Sequence, residues 1–392
     1  MIDGYPNAPR LHPVAQVRGY CDYLADFAKV LDGYEDALAG EAYLHNATSP
    51  AAAQDLYDYP QDNMAMTGRS RYVRRTFLAV VAAIPTATSS CTPAGETPAD
   101  SSPVPTVRAT TTTAAPGTAL VAVAVGDIAT SAEDGPQVDT ARTVAAIDPD
   151  LILGLGDFQY QKGTLQAFNT SYDRSWGRFI SRTYPINGTS HDLYGTGEYL
   201  DYWNGGSANR HGTTPIRQQP QWSYSFDRGG WHFVALNTAC WQRDDCDPER
   251  WTRWLRDDLR GNGTRCALTF MHEPYWTSPT DVQNADHSTR PWIDLLHEYG
   301  VDVLLQGHNH VYERFEPQTP DGEPDEAGIQ AFVVGTGGID LHRFSGTAAN
   351  SVAHQSASHG VLRLDLSPAS YRWSFLASDG PRYSDEGERA CH

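Results

Sequence analysis

Lysine is almost missing from this chain of 392 residues: Lys29 and Lys162 are the only two, so the 29 basic residues are nearly all arginine, set against 48 acidic ones. The net charge of -19 excludes a general affinity for nucleic acid or an anionic membrane surface, and it leaves a polyanion bound only where a metal supplies positive charge. No apolar run approaches the roughly 20 residues of a membrane-spanning helix, which excludes a polytopic membrane protein. Cysteine is scarce as well, with six in all. Cys240 and Cys246 stand close together, but no second close pair completes a zinc cage. With Cys266 and Cys391 they make an even set, compatible with two disulfides in an oxidising compartment. Spacing leaves the connectivity open, Cys240 with Cys246 being the shortest closure. No internal repeat is present.

At roughly 150 residues per domain the length allows one large domain with extras, or two to three small ones. The sharpest change of composition falls at Arg74-Arg75-Thr76-Phe77-Leu78, which leads into the apolar stretch from Ala79 to Ile84 and then small residues up to Cys91. Residues 64–91 resemble a twin-arginine export signal, with Arg69, Arg71, Arg74 and Arg75 as its basic region. Such a signal starts near an N-terminus, and Met64 or Met66 would place it there. Residues 1–63 are then a stretch ahead of a misplaced start, or else a true extension, since Leu24, Phe27, Leu31, Tyr34 and Leu38 recur at helical spacing. Cys91 offers a site for a lipid anchor, although the leucine usual ahead of such a cysteine is missing. Residues 92–118 are rich in Thr, Pro and Ala and read as a linker. A single domain is expected over 119–378 and a C-terminal tail over 379–392.

Four short apolar runs each end in a turn that carries a metal-capable side chain. Leu120 to Val125 leads to Gly126-Asp127, and Leu151 to Leu153 leads to Gly156-Asp157-Phe158-Gln159-Tyr160. Cys266 to Met271 leads to His272, and Val301 to Leu305 leads to Gly307-His308-Asn309-His310. Helices are expected over 138–147, 165–180 and 248–259, the last with Pro248 at its first turn and Trp251, Trp254, Leu255 and Leu259 on one face. In an open sheet the C-terminal strand ends gather on one edge, which lets these distant residues meet. A single Gly-Asp after a strand is more often a turn or a helix cap than a ligand. Two histidines separated by one residue at a strand end, by contrast, have little packing value and point to ligation. Two aspartates, a tyrosine and three histidines form a mixed oxygen and nitrogen set suited to two adjacent first-row metal ions sharing one carboxylate. Such a pair acidifies a water and holds the oxygens of a phosphoryl group. His211, His232, His287, His297, His354 and His359 lack ligand spacing and read as surface or satisfied core residues.

The order Gly-Asp, Gly-Asp-x-x-Tyr, Gly…His-Asp, His-x-Pro and Gly-His-x-His-x-Tyr-Glu-Arg, over about Val121 to Ser378, resembles the calcineurin-like metallophosphoesterases. Tyr160 and the run from Gly307 to Arg314 are most similar to the purple acid phosphatase branch and its secreted bacterial relatives. The resemblance implies an α/β fold, a four-layer sandwich of two mixed sheets with helices on both outer faces. It implies Asp127, Tyr160 and His310 as ligands of one metal, with Asp157 bridging to a second held by His272 and His308. The cofactors are then two divalent or trivalent ions, iron at the tyrosinate with zinc, manganese or a second iron beside it. The implied activity is exported hydrolysis of phosphate monoesters by a metal-activated hydroxide, with His191 as general acid; a phosphodiesterase on the same site is the alternative. The segment from Tyr184 to Thr196 departs from the pattern: Thr189-Ser190 stands where a ligating Asn is expected, and Leu193 is extra. Ser190 or Asn187 are candidates for that weaker neutral ligand. The departure also allows a catalytically silent phosphate-binding surface protein.

Overall fold

The computed structural model describes residues 119–392 apart from 133, 194–197, 206–212, 217–222 and 244–245. The segment 1–63, the export-like segment 64–91 with Cys91, the linker 92–118 and His211 lie outside the described residues.

A six-stranded sheet has the order β13 (Glu386–Ala390), β12 (Ser370–Ala377), β11 (Gly360–Ser367), β1 (Leu120–Val125), β2 (Leu151–Gly154) and β3 (Thr183–Pro185). A seven-stranded sheet has the order β10 (Ser351–Gln355), β8 (Tyr312–Phe315), β9 (Gln330–Val334), β7 (Val303–Gln306), β6 (Cys266–Met271), β5 (Trp231–Leu236) and β4 (Tyr224–Arg228). Both sheets are mixed. β1, β2 and β3 run parallel in the first, and β5, β6, β7 and β9 in the second, while the hairpins at the edges are antiparallel.

The period-two alternation of β1 shows how the layers form. Leu120, Ala122 and Ala124 join Phe233, Leu268, Leu305 and Leu364 in the core between the sheets. Val123 and Val125 face the other way, toward Ala141 and Val144 of helix α1 (Gln137–Ile147). On the far side of the second sheet, Val234, Ala267, Leu304 and Val333 meet helices α2 (Pro248–Gly261) and α3 (Arg290–Glu298) through Trp251, Leu255, Leu259, Trp292 and Leu296. Three apolar layers thus separate four structural ones, the α/β sandwich that the resemblance implies. α2 begins where Asp247 Oδ1 accepts the Arg250 amide at 3.0 Å, with Pro248 in its first turn.

Three expectations need correction. The strand ends that carry the site do not share one sheet: β1 and β2 belong to the first and β6 and β7 to the second. The helix expected over 165–180 is a broken series of turns, Leu165–Ala167, Phe168–Tyr172, Asp173–Ser175 and Gly177–Arg182. Phe168, Tyr172 and Trp176 recur every four residues, more than one α-helical turn, and the wider π turn at Phe168–Tyr172 keeps all three buried. Finally, 379–392 is no tail. β13 pairs with β12, and Cys391 is bonded to Cys266 at the start of β6, so the domain continues to the last residue. The other disulfide joins Cys240 to Cys246.

Among the described residues no helix is long and apolar enough to cross a membrane. Of the histidines expected to be structural, His232 is buried between Asp227 (2.7 Å) and Asp258 (2.9 Å), and His359 bonds Asp379 and the Ile339 carbonyl.

Candidate metal centre

Where β1, β2 and β7 end, the chain turns abruptly, and Asp127, Asp157 and His308 take left-handed backbone angles, φ 59°, 48° and 65°. Such conformations cost roughly 1–3 kcal/mol each for non-glycine residues and cluster at functional sites. Backbone bonds hold them: Asp127 N to Gly156 O (3.1 Å), Ile128 N to Asp157 O (3.0 Å) and Gly307 N to His272 O (2.9 Å). Gly156, at φ 89°, admits no side chain, because a Cβ would stand 2.6 Å from His272 Nδ1.

The turns bring the expected residues together. Tyr160 donates its hydroxyl to Asp127 Oδ1 (2.7 Å) and Asp157 Oδ2 (3.1 Å), and lies 3.1 Å from His310 Nε2. His310 Nε2 is 3.4 Å from Asp127 Oδ1. On the other side of Asp157, His272 Nε2 stands 3.2 Å from Oδ2, and Asp157, His272 and His308 each present a ligand atom within 4.8 Å of the others. Asp157 therefore belongs to both groups.

The donor set fits metal ions. His272 Nδ1 donates to the Leu155 carbonyl at 2.7 Å, which turns Nε2 inward, where it is buried without a well-formed hydrogen bond. His310 repeats the device, with Nδ1 on the Asp340 carbonyl at 2.8 Å. A carbonyl behind each ring sets the tautomer that ligation requires. The field calls for positive charge. Burial opposes a charge on His272, yet the carboxylates of Asp157 and Asp127 push its pKa up to about 10. Burial and the neighbouring His272 push His308 down to about 4. Burial works against the charge of Asp157 and of Asp127, but the surrounding histidines hold both below the ordinary carboxylate range. Burial, Asp127 and Asp157 together raise the Tyr160 phenol well above 10, so a phenolate here needs a cation within bonding distance.

The departing segment packs against the Asp157 turn. Thr189 donates its amide to Asp157 Oδ1 (2.9 Å) and its hydroxyl to Asp157 Oδ2 (3.0 Å). The Ser190 side chain lies outside the described set. Asn187 turns its amide nitrogen to the Gly188 carbonyl (3.1 Å) and Asn237 Oδ1 (3.0 Å), leaving its own Oδ1 buried and unpaired. Asp192, fully buried, accepts the amides of Asp157 (2.8 Å), Phe158 (3.0 Å) and Gly188 (2.8 Å), clamping the segment onto the Asp157 turn. His191 stands at the mouth, its Nδ1 2.5 Å from the Gln161 carbonyl and its ring 4.4 Å from that of Tyr160.

An open cleft of about 430 Å³ leads in, lined by Asp157, Tyr160, His191, His308, His310 and His342 among others. His342 escaped the sequence reading. Its ring stacks on His310 at 3.9 Å and its backbone amide bonds the His310 carbonyl at 3.1 Å. Burial and the charge of His310 hold it down at about 4, and its Nδ1 lies 3.2 Å from the His310 amide that donates to it and 3.0 Å from Asn309 Oδ1. Thr189, Asp192 and His342 follow no ligand spacing. The only hint was that Asp192 follows His191.

No family model matches the chain. It is similar to Purple acid phosphatase 15 of Arabidopsis thaliana, 33% identical over 29% of this chain and 22% of that protein. Acid phosphatase type 7 of Homo sapiens is 26% identical over 43% of this chain and 41% of its own length, and Purple acid phosphatase 21 of Arabidopsis thaliana 28% identical over 51% and 47%. The chain thus spans less than half the length of these curated relatives. Among solved structures, a purple acid phosphatase from yellow lupin seeds shares the fold at TM-score 0.50 and 19% identity, over 69% of this chain and 54% of that one. GAP50, the anchor in the inner membrane complex of Plasmodium, does so at TM-score 0.53 and 15% identity, over 69% of this chain and 89% of its own.

Proposed function

We propose that this chain, a purple acid phosphatase-like metallophosphoesterase by sequence likeness and fold, hydrolyses phosphate monoesters at a centre of two metal ions. Fold alone does not carry the reading, since the same architecture serves a phosphatase and an anchor. The observation that carries it is Asp157 standing between two donor groups, Asp127, Tyr160 and His310 on one side and His272 and His308 on the other.

Asp127, Tyr160 and His310 would hold one ion and His272 and His308 the other, with Asp157 shared. The hard phenolate and carboxylates favour trivalent iron in the first place, and the histidine-rich second place suits zinc, manganese or divalent iron. When bound, the two ions supply Lewis acidity and an acidified water to a phosphoryl group. The protein's own residues do the rest. Thr189 and Asp192 hold the Asp157 carboxylate and its turn in place before substrate arrives. His191, anchored through Nδ1 at Gln161, gives its Nε2 proton to the departing ester oxygen at the cleft mouth. The acidic surface is offset locally by the metal charge, so an anionic ester is drawn to this one place.

We also infer export through residues 64–91; the two disulfides support an oxidising destination. The deciding experiment is metal analysis of native-like exported protein together with turnover of p-nitrophenyl phosphate. Two equivalents of metal, a purple colour from the tyrosinate and phosphate release support the reading. Metal-replete protein that releases no phosphate overturns it.

A further inference from the structure

The outer wall of the cleft indicates which esters enter, an inference that rests on the function proposed above. Two loops make this wall. Thr280 closes a turn with Gln283 (N to O 2.9 Å, and Gln283 N to Oγ1 2.9 Å) and reaches Asn309 Oδ1 at 3.1 Å, inside the ligand segment. Asp281 bonds Arg343 of the second loop twice, amide to carbonyl at 2.9 Å and Oδ1 to amide at 2.9 Å. The tip is therefore fixed relative to the metal ligands.

This tip presents Val282, 61% exposed and one of two exposed large hydrophobic residues among those described. The lining also carries the exposed carboxylates of Asp281, next to Val282 in the chain, and of Asp340. No lysine or arginine is among the described lining residues, so the positive charge of the site lies at its floor. One phosphoryl group can reach that floor. A second phosphate on the same molecule would lie against two carboxylates and an apolar side chain, whereas an ammonium group on a short alkyl chain would meet opposite charge and an apolar contact.

We propose that the cleft selects monophosphate esters of small amino alcohols and rejects molecules with further phosphates. In the hydrolysis the P–O ester bond breaks, water supplies the hydroxyl to phosphorus, and its remaining proton balances the alcohol oxygen, releasing inorganic phosphate and the free amino alcohol. Selection is by rim charge rather than by a shape-matched pocket.

The test compares kcat/KM of the metal-loaded full chain for phosphoethanolamine and phosphocholine with that for pyrophosphate and ATP, using p-nitrophenyl phosphate as reference. The amino-alcohol esters are expected to lead by about tenfold or more, a lead that shrinks in high salt and in Asp281→Asn/Asp340→Asn. The salt series on the wild-type protein stands even if the double variant fails to fold. Hydrolysis of p-nitrophenyl phosphate with pyrophosphate or ATP equally fast, or with a preference that neither salt nor the variant moves, overturns the selection and leaves the phosphatase reading intact. Failure on every ester, p-nitrophenyl phosphate included, overturns both.

Discussion

The backbone amide of His308 donates to Oδ2 of Asp127 over 2.8 Å, joining residues 181 positions apart that follow strands of different sheets. One oxygen of Asp127 is thereby tied to the second sheet while the other accepts from Tyr160, so the two ligand turns are locked together by the protein itself. Preorganisation of this kind would let a metal bind without rebuilding the loops.

Asp157→Asn and His308→Ala should each lower phosphate release by about three orders of magnitude or more, since each removes a proposed metal donor. Asparagine tolerates the left-handed φ of Asp157, so that variant tests charge rather than backbone. Steady-state rates with metal supplied check the claim, and near-wild-type turnover by either variant would sink the two-metal reading.

Thr189→Val keeps the side-chain shape but removes the hydroxyl that donates to Asp157 Oδ2. A loss of roughly 10- to 100-fold in metal affinity or activity is expected, the scale of groups that orient a ligand. Competition titration with a chelator reads the affinity directly. An unchanged affinity would mean that the amide of Thr189 suffices.

His191→Ala should depend on the leaving group. Alkyl phosphates, whose alkoxide most needs a proton, should lose about 10²–10⁴-fold, and nitrophenyl phosphate much less. Equal losses on both would assign His191 to binding instead of proton donation.

Replacing Cys266 and Cys391 by serine opens a loop closed across 125 positions and frees the β13 edge. The expected cost is about 2–5 kcal/mol. Denaturant unfolding measures it, and a change below the error of the method would show that β13 holds without the bond.

His232 gives a pH signature. Burial opposes its charge, but Asp258 and Asp227 together raise its pKa above the ordinary value of 6.5. A group raised on folding contributes stability that is full below its unfolded pKa and is lost as pH rises through the folded value. His232→Gln should therefore destabilise by about 3–5 kcal/mol in mild acid and less in alkali. Melting curves of both proteins across that range decide it; a constant gap would mean that the ring stays neutral.

Much of the site was legible in the chain because its donors sit in short turns directly after strands, and a Gly-Asp or Gly-His-x-His after an apolar run survives as a local pattern. The shared motif also hides a division of labour. In the run from Gly307 to Arg314, His308 and His310 face the cleft, whereas Tyr312 and Arg314 bond Asp385, and Glu313 is buried against Ser278 and Thr277. Those partners lie far off in the chain, so spacing does not reveal them.

Amino-acid order by itself determined which residues end strands, and with that the six candidate donors, the periodic faces of β1 and α2, and the even set of cysteines. Only the tertiary structure decided that the donors come from two sheets, that Thr189 holds Asp157, that His342 backs His310, and that 379–392 completes the first sheet. The reason is range: hydrogen bonds within a turn are dictated by neighbours in sequence, while a contact such as His308 with Asp127 exists only after two sheets have buried their common core.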